Sequence, residues 1–95
     1  MRKITVSRPQ KLQFMFTKGK VLIDGIEREI VKAGKSAVLE IEDGSHRIQV
    51  IFASLPAVES NELTINPSDG DVAFEVKIKV PLKNTDPTTA ELAKI

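Results

Sequence analysis

The chain has 95 residues, of which 41% are hydrophobic and 28% charged, and its 14 basic and 13 acidic residues give a formal net charge of +1. This length fits one domain with one core. The near-zero charge argues against a nucleic-acid-binding protein, which usually carries a strongly basic face. The chain contains no cysteine, which excludes disulfides and thiolate zinc sites. We find no signal peptide and no apolar stretch long enough to span a bilayer, so we expect a cytoplasmic protein that does not insert into membranes.

Apolar and polar residues alternate along much of the chain with the two-residue period that is typical of β-strands. The clearest run is 72–80, where five apolar side chains share one face and charged side chains share the other. In chain order, the alternation predicts strands at 4–6, 12–16, 21–23, 26–31, 37–41, 46–53, 62–65 and 72–80.

Turn residues separate these strands. Asp24-Gly25 and Asp43-Gly44 each predict a two-residue hairpin turn, because Asp and Gly tolerate the positive φ that such turns need. The stretches 33–35 and 66–71 are further turn or loop segments. Together these signals predict an all-β sandwich of seven or eight mostly antiparallel strands over residues 1–82, of immunoglobulin-like or transthyretin-like type.

The tail at 83–95 is predicted to be either disordered or a short helix. Asp86 could cap such a helix, and Pro87 suits its first position. An isolated helix of this length is marginal in water. Its order would therefore depend on docking of Leu92 and Ile95 on the domain.

The stretch 21–80 carries a recurring pattern of two Asp-Gly turns and a histidine. Its parts are Val21-x-Ile23-Asp24-Gly25, then Gly34, then Leu39-x-Ile41-x-Asp43-Gly44-x-His46-x-Ile48-x-Val50, then Ser60-Asn61-x-Leu63. This pattern resembles the PEGA-like domains, which are small bacterial β-sandwich modules; residues 31–35 stand where that family has its Pro-Glu-Gly-Ala box. The resemblance implies a sandwich without catalytic residues, an add-on module of surface proteins whose role is interaction.

His46 is the only histidine in the chain. It falls on the better apolar face of its strand, so we expect it at the rim of the core with one ring nitrogen bonded to a turn carbonyl. Nucleophilic catalysis would need a hydroxyl held by the ring and a third group that orients the ring. The neighbouring Ser45 points away in an extended strand. We therefore predict no catalytic residues and no enzymatic activity.

Two other segments raise the question of a ligand site. The loop 66–71 is rich in oxygen ligands, but its spacing does not match a calcium-binding loop. We predict no cofactor and no metal. The alternative function is a small-molecule or metal-ion site that uses His46 and nearby carboxylates. Glu40 and Glu42 share a strand face, but acidic pairs of this kind are common on solvated strands.

The segment around 55–58 is apolar where a loop is normally polar. Leu55, Pro56 and Val58 either cover one end of the core or form an exposed surface for a partner. We predict a non-catalytic interaction module that binds a protein or peptide, or a second copy of itself. Binding would use this loop or an open sheet edge, where strand addition needs no special residues.

Overall fold

The computed structural model of the protein describes residues 1–9, 17–54, 57–79 and 87–95. The strand expected at 12–16 lies outside the described residues, as do Leu55 and Pro56. Nine strands and one 3₁₀ turn occur in the described part: β1 (Arg2–Ser7), β2 (Gly19–Ile23), β3 (Ile26–Val31), β4 (Ser36–Ile41), β5 (His46–Phe52), β6 (Val58–Glu59), β7 (Leu63–Ile65), the 3₁₀ turn (Pro67–Asp69), β8 (Val72–Lys79) and β9 (Thr89–Lys94).

The strands form two sheets, which confirms the all-β class. One sheet has four strands in the order β4-β1-β8-β9, and the other has five, in the order β3-β2-β5-β6 with β7 also paired to β5. β1 and β8 run parallel, whereas the other pairs are antiparallel. The described strands exceed the seven or eight expected, because β6 and β9 were not predicted as strands.

The core lies where the inward faces of both sheets meet. Phe52 from the five-stranded sheet and Phe74 from the four-stranded sheet are its largest buried side chains. Every strand contributes to one cluster, which contains Ile4, Val6, Val21, Ile23, Val31, Ala37, Leu39, Ile41, Ile48, Val50, Phe52, Val58, Ile65, Val72, Phe74, Val76, Ile78 and Leu92. The alternation of apolar residues therefore identified the inward positions correctly in β4, β5 and β8.

The two Asp-Gly turns have different roles. Asp24 and Gly25 have φ values of 54° and 80° and join β2 to its antiparallel partner β3, so the predicted hairpin is confirmed. The hairpin predicted at Asp43-Gly44 is wrong. β4 pairs with β1 in one sheet and β5 pairs with β2 in the other, so 42–45 is a crossover between sheets. An Asp-Gly pair signals a chain reversal, but it does not determine which strand becomes the hydrogen-bonded partner.

The predicted disorder or helix in the tail is also wrong for Thr89–Lys94, which is the strand β9. It pairs antiparallel with β8, and Leu92 is buried in the core. Pairing along β8 and burial of Leu92 outweigh the local preference of Pro87 for the first turn of a helix. The condition set for an ordered tail, docking of Leu92 and Ile95, is met by Leu92, whereas Ile95 is exposed.

Arg2 and Arg8 are buried, and neither was predicted to be. Arg2 donates from Nη1 to the carbonyl oxygen of Asn66 at 2.6 Å and from Nη2 to the carbonyl oxygen of Gly44. Arg8 donates to the carbonyl oxygen of Thr17, and its guanidinium lies 4.8 Å from the ring centroid of Phe52. Arg8 also donates to the carbonyl oxygen of Val31 at 3.4 Å. Each arginine thus satisfies two carbonyl groups outside β1.

Candidate functional site

Exposed apolar side chains concentrate on two outer strands. Of the large hydrophobic residues exposed in the described part, Met1 and Ile95 are chain ends, and the other three are Ile26, Ile30 and Val38. These three lie on β3 and β4, the outermost strands of their respective sheets. We call Ile26–Val31 together with Ser36–Ile41 the β3–β4 edge. Apolar groups exposed on strands at a sheet edge are the usual features of a partner surface.

Alternate backbone groups of β4 point away from its sheet. The carbonyl oxygen of Glu40 accepts a hydrogen bond from Nη2 of Arg28, on the other sheet, at 3.1 Å, so it faces away from β1. Backbone groups two residues apart in an antiparallel strand point the same way. The N–H and C=O of Val38 therefore also face outward, beside a side chain that is 55% exposed.

Side chains occupy some of the outward backbone groups of this edge. Arg28 donates a hydrogen bond to the carbonyl oxygen of Glu40. Oε1 of Glu29 accepts a hydrogen bond from the N–H of Ile30 at 3.0 Å. Such contacts discourage unspecific strand pairing. Among the described residues, no side chain bonds to the outward groups of Val38, so the centre of β4 is the open part of the edge.

The opposite edge of the four-stranded sheet is closed at its centre by Asn61. Its Nδ2 donates to the carbonyl oxygen of Leu92 at 3.0 Å, and its Oδ1 accepts from the Leu92 N–H at 2.7 Å. The Asn61 amide thus takes the place that a neighbouring strand would occupy beside β9. Val38 has no equivalent partner in the described part of the chain, and β4 is therefore the more accessible edge of this sheet.

Both ring nitrogens of His46 are engaged. Nδ1 lies 2.7 Å from Oδ2 of Asp24, and Nε2 lies 2.8 Å from the carbonyl oxygen of Glu42. An ionised carboxylate and a carbonyl only accept hydrogen bonds, so the ring satisfies both by donating from both nitrogens, as the imidazolium does. The bond to Asp24, aided by the bond to the Glu42 carbonyl, raises the pKa of His46 even though burial opposes the charge.

The Asp24 carboxylate is held from two sides. Besides the His46 ring, the backbone N–H of Arg47 donates to its Oδ1 at 2.9 Å. These hydrogen bonds, that from His46 first, lower the pKa of Asp24. The expected bond from His46 to a turn carbonyl is confirmed at Glu42, whereas the bond to Asp24 was not predicted. Asp24 and His46 meet because Ile23 in β2 pairs with Ile48 in β5. The local sequence does not reveal that register.

The alternative ligand site at His46 would have to displace existing bonds. A metal ion or small molecule would compete with Asp24 or the Glu42 carbonyl for a ring nitrogen. The described ranges contain no group of three or more His, Asp or Glu side chains that could hold a metal ion. The arrangement is suited to joining the β2–β3 turn to the 42–45 crossover.

The predicted partner-binding loop does not present Val58 to solvent. Val58 is 7% exposed, belongs to β6 and pairs with Phe52, so it is part of the core and unavailable as an exposed contact. Leu55 and Pro56 lie outside the described residues. The sequence did hold a signal for the β3–β4 edge, because Val38 is apolar at an outward position between the inward-facing Ala37 and Leu39.

Comparison with known proteins adds no assignment: no family model, no curated protein and no solved structure matches this chain. Over the ranges that the structure describes, no helix is long and apolar enough to cross a membrane. Within the described residues, we infer a function from the β3–β4 edge and from the contacts of His46.

Proposed function

We propose that this protein is a non-catalytic interaction module that binds an extended segment of a protein at the β3–β4 edge. The observation that carries the proposal is Val38, which combines an exposed apolar side chain with outward backbone groups at the centre of an outermost strand. An added strand would gain main-chain hydrogen bonds there, and its alternate side chains would contact Val38 and its neighbours on the sheet surface.

The fold that we propose for this module is a sandwich of immunoglobulin-like, transthyretin-like or PEGA-like type. Two sheets that share one core support a sandwich. The Asp24-Gly25 hairpin and the inward Ile48 and Val50 of β5 support the resemblance to PEGA-like domains. Modules of these types commonly use their sheet edges and end loops for binding.

A non-catalytic role is supported by the state of the only histidine. Both nitrogens of His46 are already bonded, to Asp24 and to the Glu42 carbonyl. A general base needs a free ring nitrogen within reach of a substrate proton. The ring would have to break one of these bonds before it could accept a proton.

The proposal is tested by selecting extended peptides from a random displayed library on the wild-type protein. Bound peptides should perturb the amide NMR signals of Ser36–Ile41 and slow the exchange of the Val38 N–H. Val38→Pro removes this outward donor without removing a bond of the β1–β4 ladder, so it should abolish binding while the fold is retained. A matched control is Lys94→Pro, which removes an outward N–H from β9 and should leave binding unchanged.

Two results would contradict the proposal. One is that the selected peptides perturb a different surface, such as β9 or the 57–59 segment. The other is that binding persists in Val38→Pro with its affinity unchanged.

A further inference from the structure

We infer that the strand taken up by this edge is β4 of a second copy of the chain, antiparallel to β4 and centred on Val38. The inference rests on the proposed function, since it uses the same edge and specifies the partner. It is carried by the sequence of β4, Ser36–Ile41, and by the direction of its backbone groups.

The register centred on Val38 is self-complementary. It places Val38 opposite the partner's Val38, and cross-strand pairs of β-branched residues stabilise antiparallel sheets. Glu40 then lies opposite the partner's Ser36, and no like charges face each other. A register centred on Glu40 would instead oppose two carboxylates, which is destabilising. A register centred on Ser36 would place Val38 opposite a glycine of the 33–35 turn.

The hydrogen-bonding groups also match in this register. The outward N–H and C=O of Val38 would bond to those of the partner's Val38, because residues that exchange both bonds lie directly opposite in an antiparallel ladder. The two four-stranded sheets would then become one continuous sheet. On its outer surface Glu40 keeps Lys3 as its neighbour in β1, so the carboxylate beside the new interface remains balanced by a cation.

The interface closes after one pairing. A two-fold contact between identical strands uses the same surface on both copies and leaves no second binding edge of that kind. At the far side of the sheet, the Asn61 amide bonds both backbone groups of Leu92, which blocks growth of the sheet at the centre of β9. The expected product is therefore a dimer and not a filament.

Arg28 opposes the association. Its guanidinium bonds to the carbonyl oxygen of Glu40, which is the acceptor that the N–H of the partner's Ser36 would use. Pairing must release this exposed bond. Removal of the Arg28 side chain should therefore strengthen dimerisation, by roughly three- to tenfold in the dissociation constant.

The test is sedimentation velocity of the full chain from micromolar to millimolar concentration. The average mass of the wild type should rise with concentration from 10.5 kDa towards twice that value. Val38→Lys and Val38→Pro should each raise the dissociation constant at least about tenfold. Val38→Lys places two like charges opposite each other at the centre of the interface. Val38→Pro removes the N–H donor of residue 38 from each copy. Arg28→Ala should lower it, and Lys94→Pro should match the wild type.

Circular dichroism and thermal unfolding establish that each variant is folded. A wild type that stays monomeric at millimolar concentration would overturn the inference, as would a dimer that responds to neither Val38→Lys nor Arg28→Ala. If the chain is monomeric but selected peptides still bind at Ser36–Ile41 and are lost in Val38→Pro, the inference fails and the proposed function stands. If β4 binds neither peptides nor a second copy, both fail.

Discussion

The imidazole of His46 contacts the carboxylate of Asp24, with 2.7 Å between Nδ1 and Oδ2, across 22 residues of sequence. The other ring nitrogen bonds to the carbonyl oxygen of Glu42. The ring therefore joins the turn that precedes β3 to the backbone that follows β4. One protonatable side chain connects the two strands of the β3–β4 edge at one end.

The stability of the fold should depend on pH in a defined window. The pKa of His46 is raised from 6.5 in the folded chain, so its contribution is complete below that value and is lost as pH rises through the folded pKa. The pKa of Asp24 is lowered from 3.8, so its contribution is present above that value and is lost as pH falls through its folded pKa. The urea midpoint should therefore be higher at about pH 5.5 than at about pH 8.5.

His46→Gln should remove this difference between the two pH values, because glutamine does not titrate. Asp24→Asn should reduce it and should lower the pKa of His46 in an NMR titration, while asparagine still tolerates the φ of 54° at this position. Asp43→Asn is the matched control, since Asp43 belongs to the other Asp-Gly pair and its Oδ1 lies 3.9 Å from the amino nitrogen of Met1. An unchanged titration of His46 in Asp24→Asn would show that the carboxylate does not set the pKa.

Arg2→Met should destabilise the fold by about 1–3 kcal/mol, because the carbonyl groups of Asn66 and Gly44 lose their charged donor in partly buried contacts. Methionine fills much of the space of the arginine stem, so lost packing contributes little. Equilibrium urea unfolding measures the change. Arg47→Met is the control: its guanidinium is 70% exposed beside Glu62, and its loss should cost less than about 1 kcal/mol.

Arg2→Met could also leave the free energy of unfolding unchanged, and one buried atom of Arg2 would explain that result. Within the described residues, Nε of Arg2 is buried without a hydrogen-bond partner. A neutral result would mean that burying this group costs as much as the two carbonyl bonds contribute.

Gly19→Ala should destabilise the fold by about 1–3 kcal/mol through overpacking. A Cβ atom at Gly19 would lie 3.0 Å from Cε1 of Phe52, 3.0 Å from Cγ1 of Val31 and 3.2 Å from Cγ1 of Val50. Thermal and urea unfolding measure the cost. The cost should be smaller in a Val31→Ala background, where one of the contacting methyl groups is gone. Equal costs in both backgrounds would contradict overpacking against Val31.

Asn61→Ala should destabilise the fold by about 1–2 kcal/mol and speed the amide exchange of Leu92, because both backbone groups of Leu92 lose their partner. Asn61→Asp tests the two hydrogen bonds to Leu92 separately. A carboxylate still accepts from the Leu92 N–H, but it repels the Leu92 carbonyl that Nδ2 of Asn61 contacts. Asn61→Asp should therefore gain stability relative to wild type as pH falls and the carboxyl becomes protonated. Faster amide exchange at Leu92 without any loss of stability would contradict the predicted stabilisation. Asn61 would then only protect the backbone of β9 from solvent.

The sequence predicted features that depend on neighbouring residues. The alternation at Val72–Lys79 defined both faces of β8, and the Asp24-Gly25 pair defined a turn, because positive φ is a property of those two residues. His46 was correctly expected to bond to a turn carbonyl. In each case the physical cause lies within a few residues of the feature.

Features that depend on distant residues were not predictable in the same way. Whether 42–45 is a hairpin or a crossover depends on β1 and β2, which take β4 and β5 as partners. The tail became a strand because β8 offered an edge and the core offered a site for Leu92. Asp24 meets His46 only through the register of β2 and β5. No pattern within one strand encodes such a choice of partner.

The position of β1 between β4 and β8 has a consequence for the order of assembly. The Lys3 N–H bonds to the side chain of Asp71, 68 residues away, and β1 pairs along β8 from Ile4 onward. During synthesis β1 can join β4 early, but its second side stays unpaired until β8 has left the ribosome. The five-stranded sheet draws its strands from Gly19–Ile23 to Leu63–Ile65 and can form sooner. β1 precedes the other described strands in the chain and is still among the last to acquire both neighbours, and this delay is a period in which a nascent chain is open to mispairing.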